Sequence, residues 1–417
     1  MKKLMSFRYL CLLGFIFQME AFKQSPIDLT LVGLFNQADG LARIGISVTD
    51  CLKNELAINH IDIRPGSLKD IPLDIATILI NPNKTAGNVT LYYWPLSFLK
   101  WEPSDFVPKE SHIKLAYSMF ESSRIPEKWV TILNERFDAV IVPDEWLKSV
   151  YITSGVKIPI FCLPLVLDLE DFLNQPVKKV ASKPFRFGCS AAFLDKKNQC
   201  MLIDAFHAEF GNNPDVELLL HGRNGHPEYM QEMRKKIQKL GNPSIKIIEQ
   251  SFSNEQHKSF LKSLDCYVLI SKGEGFSITP RESLALGIPT IISNNTAHEV
   301  ICKSTYVRSV TSIIREEAHY DSSHHFGDCG DYFACSILDV QEALRNVYIN
   351  YEEYLEKALA GREWVKRYLK ENLKNQYLSL IKPKKVILGS ENSIGEDFIM
   401  TNSELLYYKY LDLLNSH

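Results

Sequence analysis

Two carboxylates stand close together in the segment ISKGEGFSITPRESLALGIPTIISNN, residues 270–295. Glu274 and Glu282 have seven residues between them, and glycine, serine, threonine and proline surround them. An ionised carboxylate accepts hydrogen bonds, so the pair could form the floor of a binding site. The alternative is a solvated surface loop, because charged residues make up 23% of the chain.

The residues after Glu274 predict a glycine turn followed by a helix. Thr279 suits the N-cap, Pro280 the first helical position, and Gly287 the end of the helix. Glu282 would then lie in the first helical turn. Helix N-termini and free backbone amides bind anions, including a diphosphate. We therefore expect an anion site at the amides of four consecutive residues: Gly275, Phe276, Ser277 and Ile278.

The segments around this loop predict an α/β fold. Apolar runs of the second half lie at 185–190, 216–222, 244–250, 265–270 and 288–294. Helical patterns between them indicate a doubly wound parallel sheet. Ligands of such sheets lie beyond the carboxyl ends of the strands, where the loop of Glu274 follows the run 265–270.

The first half has the same organisation. Its apolar runs lie at 28–35, 74–80, 88–94, 113–120, 137–143 and 158–164. Continuous apolar runs suit parallel strands that are buried on both faces. The segment LNQPVKKVASKP, which follows Phe172 and ends at Pro184, has few apolar side chains to bury and predicts a linker.

We therefore predict an α/β fold with two doubly wound, Rossmann-like domains that face each other across a cleft. The expected parts are an N-terminal extension (1–24), an N-terminal Rossmann-like domain (25–178), a C-terminal Rossmann-like domain (184–382) and a tail (383–417). Within the second domain we expect an irregular stretch over 303–338. Two helical segments should follow, near 339–352 and 353–376.

Composition excludes several classes of protein. A chain of 417 residues with 45% hydrophobic residues can form two packed cores. The mean hydropathy of −0.11 excludes a polytopic membrane protein. The net charge of −3 gives no electrostatic basis for binding nucleic acid. Nine cysteines without a CxxC pair indicate free thiols in a reducing compartment.

The segment EGFSITPRESLALGIPTIISN resembles the E-x7-E signature of the family-4 retaining glycosyltransferases of the GT-B fold. FGCSAAFLDKKNQCMLIDAF (187–206) is similar to that family's strand, basic loop and helix. AYSMFESSRIPEKWVTILNERFDAVIVPDEW (116–146) resembles one branch of the family, and GVKIPIFCLPLVLD (155–168) resembles the strand before the linker. In total the resemblance covers roughly residues 28 to 382.

The resemblance implies a role for each matching residue. Glu282 would bind the ribose hydroxyls of a nucleotide, and Glu274 would contact the donor sugar. The loop amides between them would hold the diphosphate and the sugar hydroxyls. Lys197 would neutralise the leaving diphosphate, with Lys196 assisting. The alternative without a functional role is that the two lysines form a solvated pair at a helix N-terminus.

Positive side chains are expected in place of a metal, because the chain has no D-x-D sequence. We predict no metal and no cofactor, the nucleotide diphosphate sugar being a substrate. The sequence departs from the family where CSAAF replaces a Gly-Arg pair, so one phosphate-binding arginine is missing. Arg223 is a candidate replacement. Ser277 stands where glycine is commoner, which narrows the approach of the sugar.

Two first-domain residues are further candidates. Glu121, in MFESSRIP, matches a glutamate of the similar branch where other members have histidine facing the reacting carbon. It would shield the transition state or orient the acceptor hydroxyl; the alternative is a loop carboxylate paired with Arg124. Gly40, in NQADGLARIG, resembles a loop that approaches the donor and acceptor. A plain turn is the alternative there.

The function that we predict is retaining transfer of a sugar from a nucleotide diphosphate sugar to a glycan or lipid-linked acceptor. Two alternatives stay open. One is a nucleotide-sugar epimerase, which can share the two-domain fold. The other is a non-catalytic protein that binds nucleotide sugars or glycans. The missing arginine and Ser277 favour this second alternative, whereas Glu274, Glu282 and Lys197 favour the transferase.

The N-terminal segment MKKLMSFRYLCLLGFIFQMEAF fits either a secretory signal or an extension that contacts a membrane; its apolar stretch is too short to span a bilayer. Nucleotide sugars are cytosolic in bacteria. We therefore favour a cytoplasmic location with contact to the inner face of the membrane.

A cluster of potential metal ligands lies in SSHHFGDCGDYFAC: His324, His325, Cys329 and Cys335. Their spacing fits no zinc template, so we interpret the stretch as a variable insertion.

Overall fold

The computed structural model describes residues 27–35, 40–63, 71–80, 86–96, 111–223, 225–320 and 327–382. The predicted extension over 1–24 and the tail over 383–417 lie outside the described residues. Within the described residues the chain forms two sheets, one from each half of the sequence. No helix among them has the length and apolar character needed to cross a bilayer.

The first sheet has six parallel strands in the order β2-β1-β3-β4-β5-β6. All five residues of β1 are buried, as expected for a strand covered on both faces. The strands span Leu29–Gly33 (β1), Ile58–Asp62 (β2), Val89–Tyr92 (β3), Ile113–Tyr117 (β4), Ala139–Val142 (β5) and Ile160–Cys162 (β6). The helices are Ala42–Leu52 (α1), Leu73–Ile80 (α2), Glu127–Arg136 (α3), Glu145–Thr153 (α4) and Glu170–Leu173 (α5).

The second sheet has seven strands in the order β13-β12-β11-β10-β7-β8-β9, parallel except for the β12–β13 pair. The strands span Phe185–Ser190 (β7), Val216–Gly222 (β8), Ile245–Glu249 (β9), Cys266–Leu269 (β10), Thr290–Asn294 (β11), Arg308–Glu317 (β12) and Asp331–Cys335 (β13). The helices are Gln199–Phe210 (α6), Pro227–Leu240 (α7), Asn254–Ser263 (α8), Ile278–Ala285 (α9), Glu299–Cys302 (α10), Ile337–Ile349 (α11), Tyr351–Val365 (α12) and Lys370–Ile381 (α13).

Each sheet reverses its strand order at one point. In the second sheet the chain runs outward from β7 through β8 to β9, and then returns to β10 on the other side of β7. In the first sheet the same reversal separates β1 from β3. The loops that follow these strands diverge, which opens a crevice at the carboxyl ends. The predicted α/β fold with two doubly wound sheets is confirmed.

The strand prediction fails at two places in the first half. The run 74–80 forms helix α2, with Ile75, Ala76 and Leu79 buried at helical spacing and Pro72 and Asp74 near its start. Strand β2 was not predicted because INHID places two polar residues at its centre. Both residues, Asn59 and His60, are nevertheless buried.

The sequence predicted an irregular stretch over 303–338, and this prediction is wrong. The stretch contains strands β12 and β13, which pair as an antiparallel hairpin at the edge of the second sheet. The two helical segments expected after it are three helices, α11 to α13. The last of these packs on α1 of the first half, where Lys370 Nζ lies 2.9 Å from an Asp50 carboxylate oxygen. The chain therefore returns to the first sheet after completing the second.

Candidate active site

A cavity of about 670 Å³ lies between the carboxyl ends of the two sheets. Its walls come from loops after β1, β3 and β4 of the first sheet and after β7 to β10 of the second. Both points of strand reversal therefore open into the same cavity, which is the location expected for a ligand site in this architecture.

Glu274 and Lys197 meet at the reversal point of the second sheet. Lys197 lies in a 3₁₀ turn after β7, and its Nζ is 2.5 Å from Glu274 Oε1 in the loop after β10. The amide of Lys272 donates to the carbonyl of Lys196 at 2.7 Å, which ties the two loops together. Glu274 is only 6% exposed. The predicted sugar and leaving-group residues are thus brought into contact.

The ion pair keeps both groups charged although Glu274 is buried and the Lys197 side chain is only 14% exposed. Burial alone raises the pKa of Glu274, but the positive charge of Lys197 outweighs it and leaves that pKa below its ordinary value. Burial lowers the pKa of Lys197, and Glu274 with Glu121 raises it above its ordinary value. Each group has therefore lost the water that would stabilise its charge and depends on its partner.

Glu282 lies at the floor of the cavity and is 1% exposed. Its two carboxylate oxygens contact Arg43 Nη2 at 3.1 Å and His257 Nε2 at 2.9 Å. Burial raises the pKa of Glu282, but the charges of Arg43 and His257 lower it to about 2. The carboxylate is therefore ionised at every physiological pH, as a hydrogen-bond acceptor for hydroxyl groups must be.

The helix that carries Glu282 begins earlier than the sequence predicted. Helix α9 starts at Ile278, with Ser277 as its N-cap, and not at Pro280 with Thr279 as the cap. Glu282 consequently lies in the second turn and not in the first. The predicted end at Gly287 is confirmed, since this residue follows the helix with a φ of +72°.

Ser277 adopts an uncommon backbone conformation, with a φ of +70°. This conformation costs a non-glycine residue roughly 1–3 kcal/mol and has to be held by its surroundings. His298, which is fully buried, places Nε2 2.8 Å from Ser277 Oγ and Nδ1 3.1 Å from the carbonyl of Ser293. Nδ1 therefore donates to that carbonyl, and Nε2 accepts from the Ser277 hydroxyl.

Acid should destabilise the fold through this histidine. Burial lowers the pKa of His298 from 6.5 to about 4. Its contribution is fully present above pH 6.5 and is lost as the pH falls toward 4, because the unfolded chain takes up the proton first. At pH 4.5 we expect a loss of about 2 kcal/mol in the free energy of unfolding. Denaturant titrations between pH 7 and 4.5 measure it.

A matched pair of variants checks this assignment. His298→Gln should flatten the fall in stability with acid, whereas His226→Gln, which changes an exposed histidine, should retain it. Burial lowers the pKa of His221 to about 4 and also lowers the pKa of His60, so both histidines contribute to the part that remains. An unchanged slope in His298→Gln would show that His298 is not the titrating group.

Glu121 lies across the cavity, in the loop after β4. Its carboxylate forms an ion pair with Lys196 of the second sheet. The expected alternative, a pair with Arg124, is wrong: Arg124 pairs instead with Asp328, at 2.6 Å. A side chain at Gly273 would overlap the carbonyl oxygen of Glu121, so this close approach of the two loops requires glycine.

The β12–β13 hairpin holds the loop of Glu121 from the other side. Ser123 Oγ accepts from the amide of Asp331 at 2.8 Å, and Ser122 Oγ donates to the carbonyl of Cys329 at 2.8 Å. Tyr320, from the end of β12, packs against Phe120 with ring centroids 5.0 Å apart and lines the cavity. The β12–β13 hairpin therefore closes the cavity on the side of Glu121.

The remaining candidate residues also line this cavity. They are Gly40, Arg223 and the loop residues Gly275, Phe276, Ser277 and Ile278. A Cβ built at Gly40 would lie 3.8 Å from Ile278 Cδ1, an ordinary contact, so the protein itself does not require glycine there.

No potential metal centre exists among the described residues, where no three histidine, cysteine or acidic side chains cluster. His324 and His325 lie outside those residues. Cys329 and Cys335 are buried in the hairpin.

Sequence reasoning missed the residues that hold Glu282 and one wall of the cavity. Arg43 and His257 carry no motif and lie 239 and 25 residues away from Glu282. His221 stacks on Phe252 with ring centroids 3.7 Å apart. These side chains meet only because helix α1, the end of β8, the loop after β9 and helix α8 converge, which no local pattern indicates.

Residues 171–312 match the family model described as Glycosyl transferases group 1. The match covers about a third of the chain and includes Lys197, Glu274 and Glu282. No curated protein sequence is significantly similar to the chain.

Solved structures share the fold at low sequence identity. S. aureus TarM is 14% identical with a TM-score of 0.53; the alignment covers 70% of this chain but only 54% of TarM. Anabaena Alr3699/HepE in complex with UDP-glucose is 11% identical with a TM-score of 0.60, over 83% of this chain and 97% of HepE. An E. coli structure described as trehalose-6-phosphate bound with UDP-2-fluoro glucose is 9% identical with a TM-score of 0.57, over 86% and 99%.

Residues 171–312 are therefore similar to the group 1 glycosyltransferases, in the same part of the chain where the EGFSITPRES segment shows its resemblance. The two doubly wound sheets share the GT-B architecture of the similar solved structures.

Proposed function

We propose that the protein transfers a sugar from a nucleotide diphosphate sugar to a glycan or lipid-linked acceptor, with retention of anomeric configuration and without a metal or cofactor. The observation that carries the proposal is the position of the Lys197–Glu274 pair and Glu282. All three lie inside the segment that matches the family, and all three face one cavity at the strand reversal.

The cavity is suited to a nucleotide at one end and a sugar at the other. Glu282 would accept the ribose hydroxyls, and the stacked pair of His221 and Phe252 offers an aromatic surface nearby. Lys197 would approach the diphosphate, and Glu274 the sugar hydroxyls. UDP is the first nucleotide to test, because the HepE and E. coli structures contain UDP-sugars.

Lys197 is the group that would assist departure of the diphosphate. As the glycosidic bond breaks, negative charge develops on the leaving oxygen, and a fixed ammonium group stabilises it. The carboxylate of Glu274 accepts a hydrogen bond from this ammonium group at 2.5 Å. Binding of the donor would divide the charge of Lys197 between Glu274 and the diphosphate.

Two observations support retention of configuration: the resemblance to the retaining family and the lowered pKa of Glu274. Inverting transfer requires a general base, often a carboxylate, that takes the acceptor proton. Lys197 holds the pKa of Glu274 below its ordinary value, which makes this carboxylate a poor base. The leaving diphosphate itself would then receive the acceptor proton, on the same face of the sugar that the acceptor attacks.

The acceptor would enter beside Glu121, between the loop after β4 and the hairpin residue Tyr320. We place the reaction in the cytoplasm, where nucleotide sugars are made in bacteria. Contact with the inner face of a membrane would bring a lipid-linked acceptor to this opening.

Product analysis tests the function against its alternatives. The purified chain is incubated with UDP-glucose and a panel of simple sugars, and the anomeric protons are followed by NMR. A transferase should release UDP and form a product with the donor's anomeric configuration. Conversion of the donor into another nucleotide sugar would indicate an epimerase. Binding of the donor with no release of UDP, even to water, would indicate a non-catalytic binder.

Glu121→Gln should lower turnover about 10²-fold while changing the affinity for UDP less than twofold. Glu121 stands on the sheet opposite the nucleotide, so its contribution should arise only in the reacting complex. Steady-state release of UDP and calorimetric titration with UDP measure the two effects. Arg124→Gln, which breaks an exposed ion pair in the same loop, is the control that should remain active. Loss of UDP affinity with normal turnover would remove Glu121 from the acceptor side.

A further inference from the structure

Arg281 lies directly beneath the loop that is expected to hold the diphosphate, and it is fully buried. Its Nη1 donates to the carbonyl of Ser277 at 2.8 Å and also to the carbonyl of Phe276. The guanidinium carbon lies 3.8 Å from the ring centre of Phe276 and 4.7 Å from that of Tyr368. Two peptide groups and two aromatic faces therefore fix the orientation of this cation.

The two carbonyl contacts determine where the loop amides point. In a trans peptide the C=O and the N–H point in opposite directions. The amides of Ser277 and Ile278, which share peptide groups with these carbonyls, consequently point away from Arg281. Neither amide has a backbone acceptor in the part of the chain that the structure describes, and both residues line the cavity.

The charge of Arg281 is poorly compensated inside the protein. Its Nε and Nη2 are buried, and neither has a hydrogen-bond partner among the residues that the structure describes. No carboxylate of the described residues lies within 4.0 Å of it; Asp144, at the N-terminus of α4, interacts with it only at longer range. A buried cation without an ion-pair partner is costly unless an anion binds close to it.

We propose that Arg281 is a positioning residue for the diphosphate and takes the place of the phosphate-contacting arginine that the CSAAF segment lacks. It acts through the loop: it directs the amides of Ser277 and Ile278 into the cavity and keeps a positive charge behind them. It also holds the strained conformation of Ser277 through that residue's carbonyl. This inference rests on the proposed function for the identity of the site, and it concerns binding of the diphosphate only.

The test compares two probes that differ in phosphate. UDP and uridine are titrated into wild type and Arg281→Met, by calorimetry for UDP and by ligand-observed NMR for uridine. A charge behind the diphosphate acts on UDP alone, so Arg281→Met should weaken UDP roughly tenfold or more and change uridine less than twofold. Arg281→Lys, which retains the charge, should lie closer to wild type than Arg281→Met.

Arg362→Met is the matched control. Arg362 also donates to two backbone carbonyls, those of Leu173 and Gln175, but it lies outside the cavity. It should leave both affinities unchanged. Equal weakening of UDP and uridine in Arg281→Met would show a merely structural role and overturn the proposal. Failure of both Arg281 variants to fold would overturn it as well.

The outcome for the proposed function is separate. Wild type that binds UDP more tightly than uridine but transfers no sugar would contradict the function and leave the role of Arg281 intact. Wild type that does not distinguish UDP from uridine would contradict the role of Arg281.

Discussion

Lys197→Met should lower turnover of the sugar donor by about 10²–10³-fold, the effect of removing one fixed group that stabilises charge in the transition state. The expected loss is large because Lys197 is the ammonium group at the strand reversal, where the leaving diphosphate would lie. Release of UDP from UDP-glucose, measured in the presence of the acceptor panel, gives the rate.

A second variant separates chemistry from folding. Removing Lys197 alone leaves the buried carboxylate of Glu274 without its partner, which is expected to destabilise the protein by about 3–5 kcal/mol. The double variant Lys197→Met, Glu274→Gln removes both charges and should recover much of that stability in thermal denaturation. Its turnover should remain low. Recovery of turnover together with stability would show that Lys197 acts only by holding Glu274.

Chelation tests the same claim from the other side. If lysine side chains stabilise the leaving group, EDTA should leave the wild-type rate unchanged. A rate that EDTA abolishes and a divalent cation restores would replace Lys197 with a metal as the principal stabilising charge.

Glu282→Gln should weaken binding of UDP by roughly tenfold to hundredfold, corresponding to the loss of charged hydrogen bonds worth ~1.5–3 kcal/mol. Arg43 and His257 hold the pKa of Glu282 at about 2, so the acceptor that is lost is a full carboxylate at any working pH. The effect should be the same at pH 5 and pH 8. Calorimetric titration with UDP measures it.

Glu274→Gln provides the contrast. Glu274 would contact the sugar and not the ribose, so this variant should retain UDP affinity within about threefold and lose transfer. Two glutamates seven residues apart would thus fail in different ways. Small and equal effects on UDP binding and on transfer in both variants would assign the segment to structure alone.

Much of the site could be predicted from sequence because its central residues lie within short motifs. Glu274, Glu282 and Lys197 follow closely on strands whose continuous apolar runs are easily recognised. The carboxyl ends of parallel strands lie at the same edge of a sheet, so these residues were expected to lie close together. Lys196 and Glu121 were identified in the same way, but their mutual ion pair was not. It depends on how the two sheets face each other, which neither segment encodes alone.

The errors have separate physical causes. Helix α2 was predicted as a strand because LDIATILI is almost continuously apolar, and burial at helical spacing becomes visible only in the packed chain. The start of α9 was placed too late because Thr279 and Pro280 are strong start signals. The helix begins two residues earlier, at Ile278, after Ser277 in a left-handed conformation. Ser277 can adopt that conformation because Arg281 and His298 hold it.

Local sequence patterns did not predict strands β12 and β13 or the packing of helix α13. The hairpin forms from a segment rich in charged and small residues. It contacts Ser122 and Ser123, which lie more than two hundred residues earlier in the chain. Helix α13 was expected on the second domain and instead packs on α1. Both elements connect the two halves of the molecule, and such long-range contacts leave no local periodicity.

The most direct test of the account is a crystal structure of the protein with UDP bound. We expect the ribose hydroxyls within hydrogen-bond distance of Glu282 and the diphosphate at the amides of Ser277 and Ile278, with Lys197 turned toward it. A nucleotide bound elsewhere, or bound in this cavity with its ribose away from Glu282, would contradict the account.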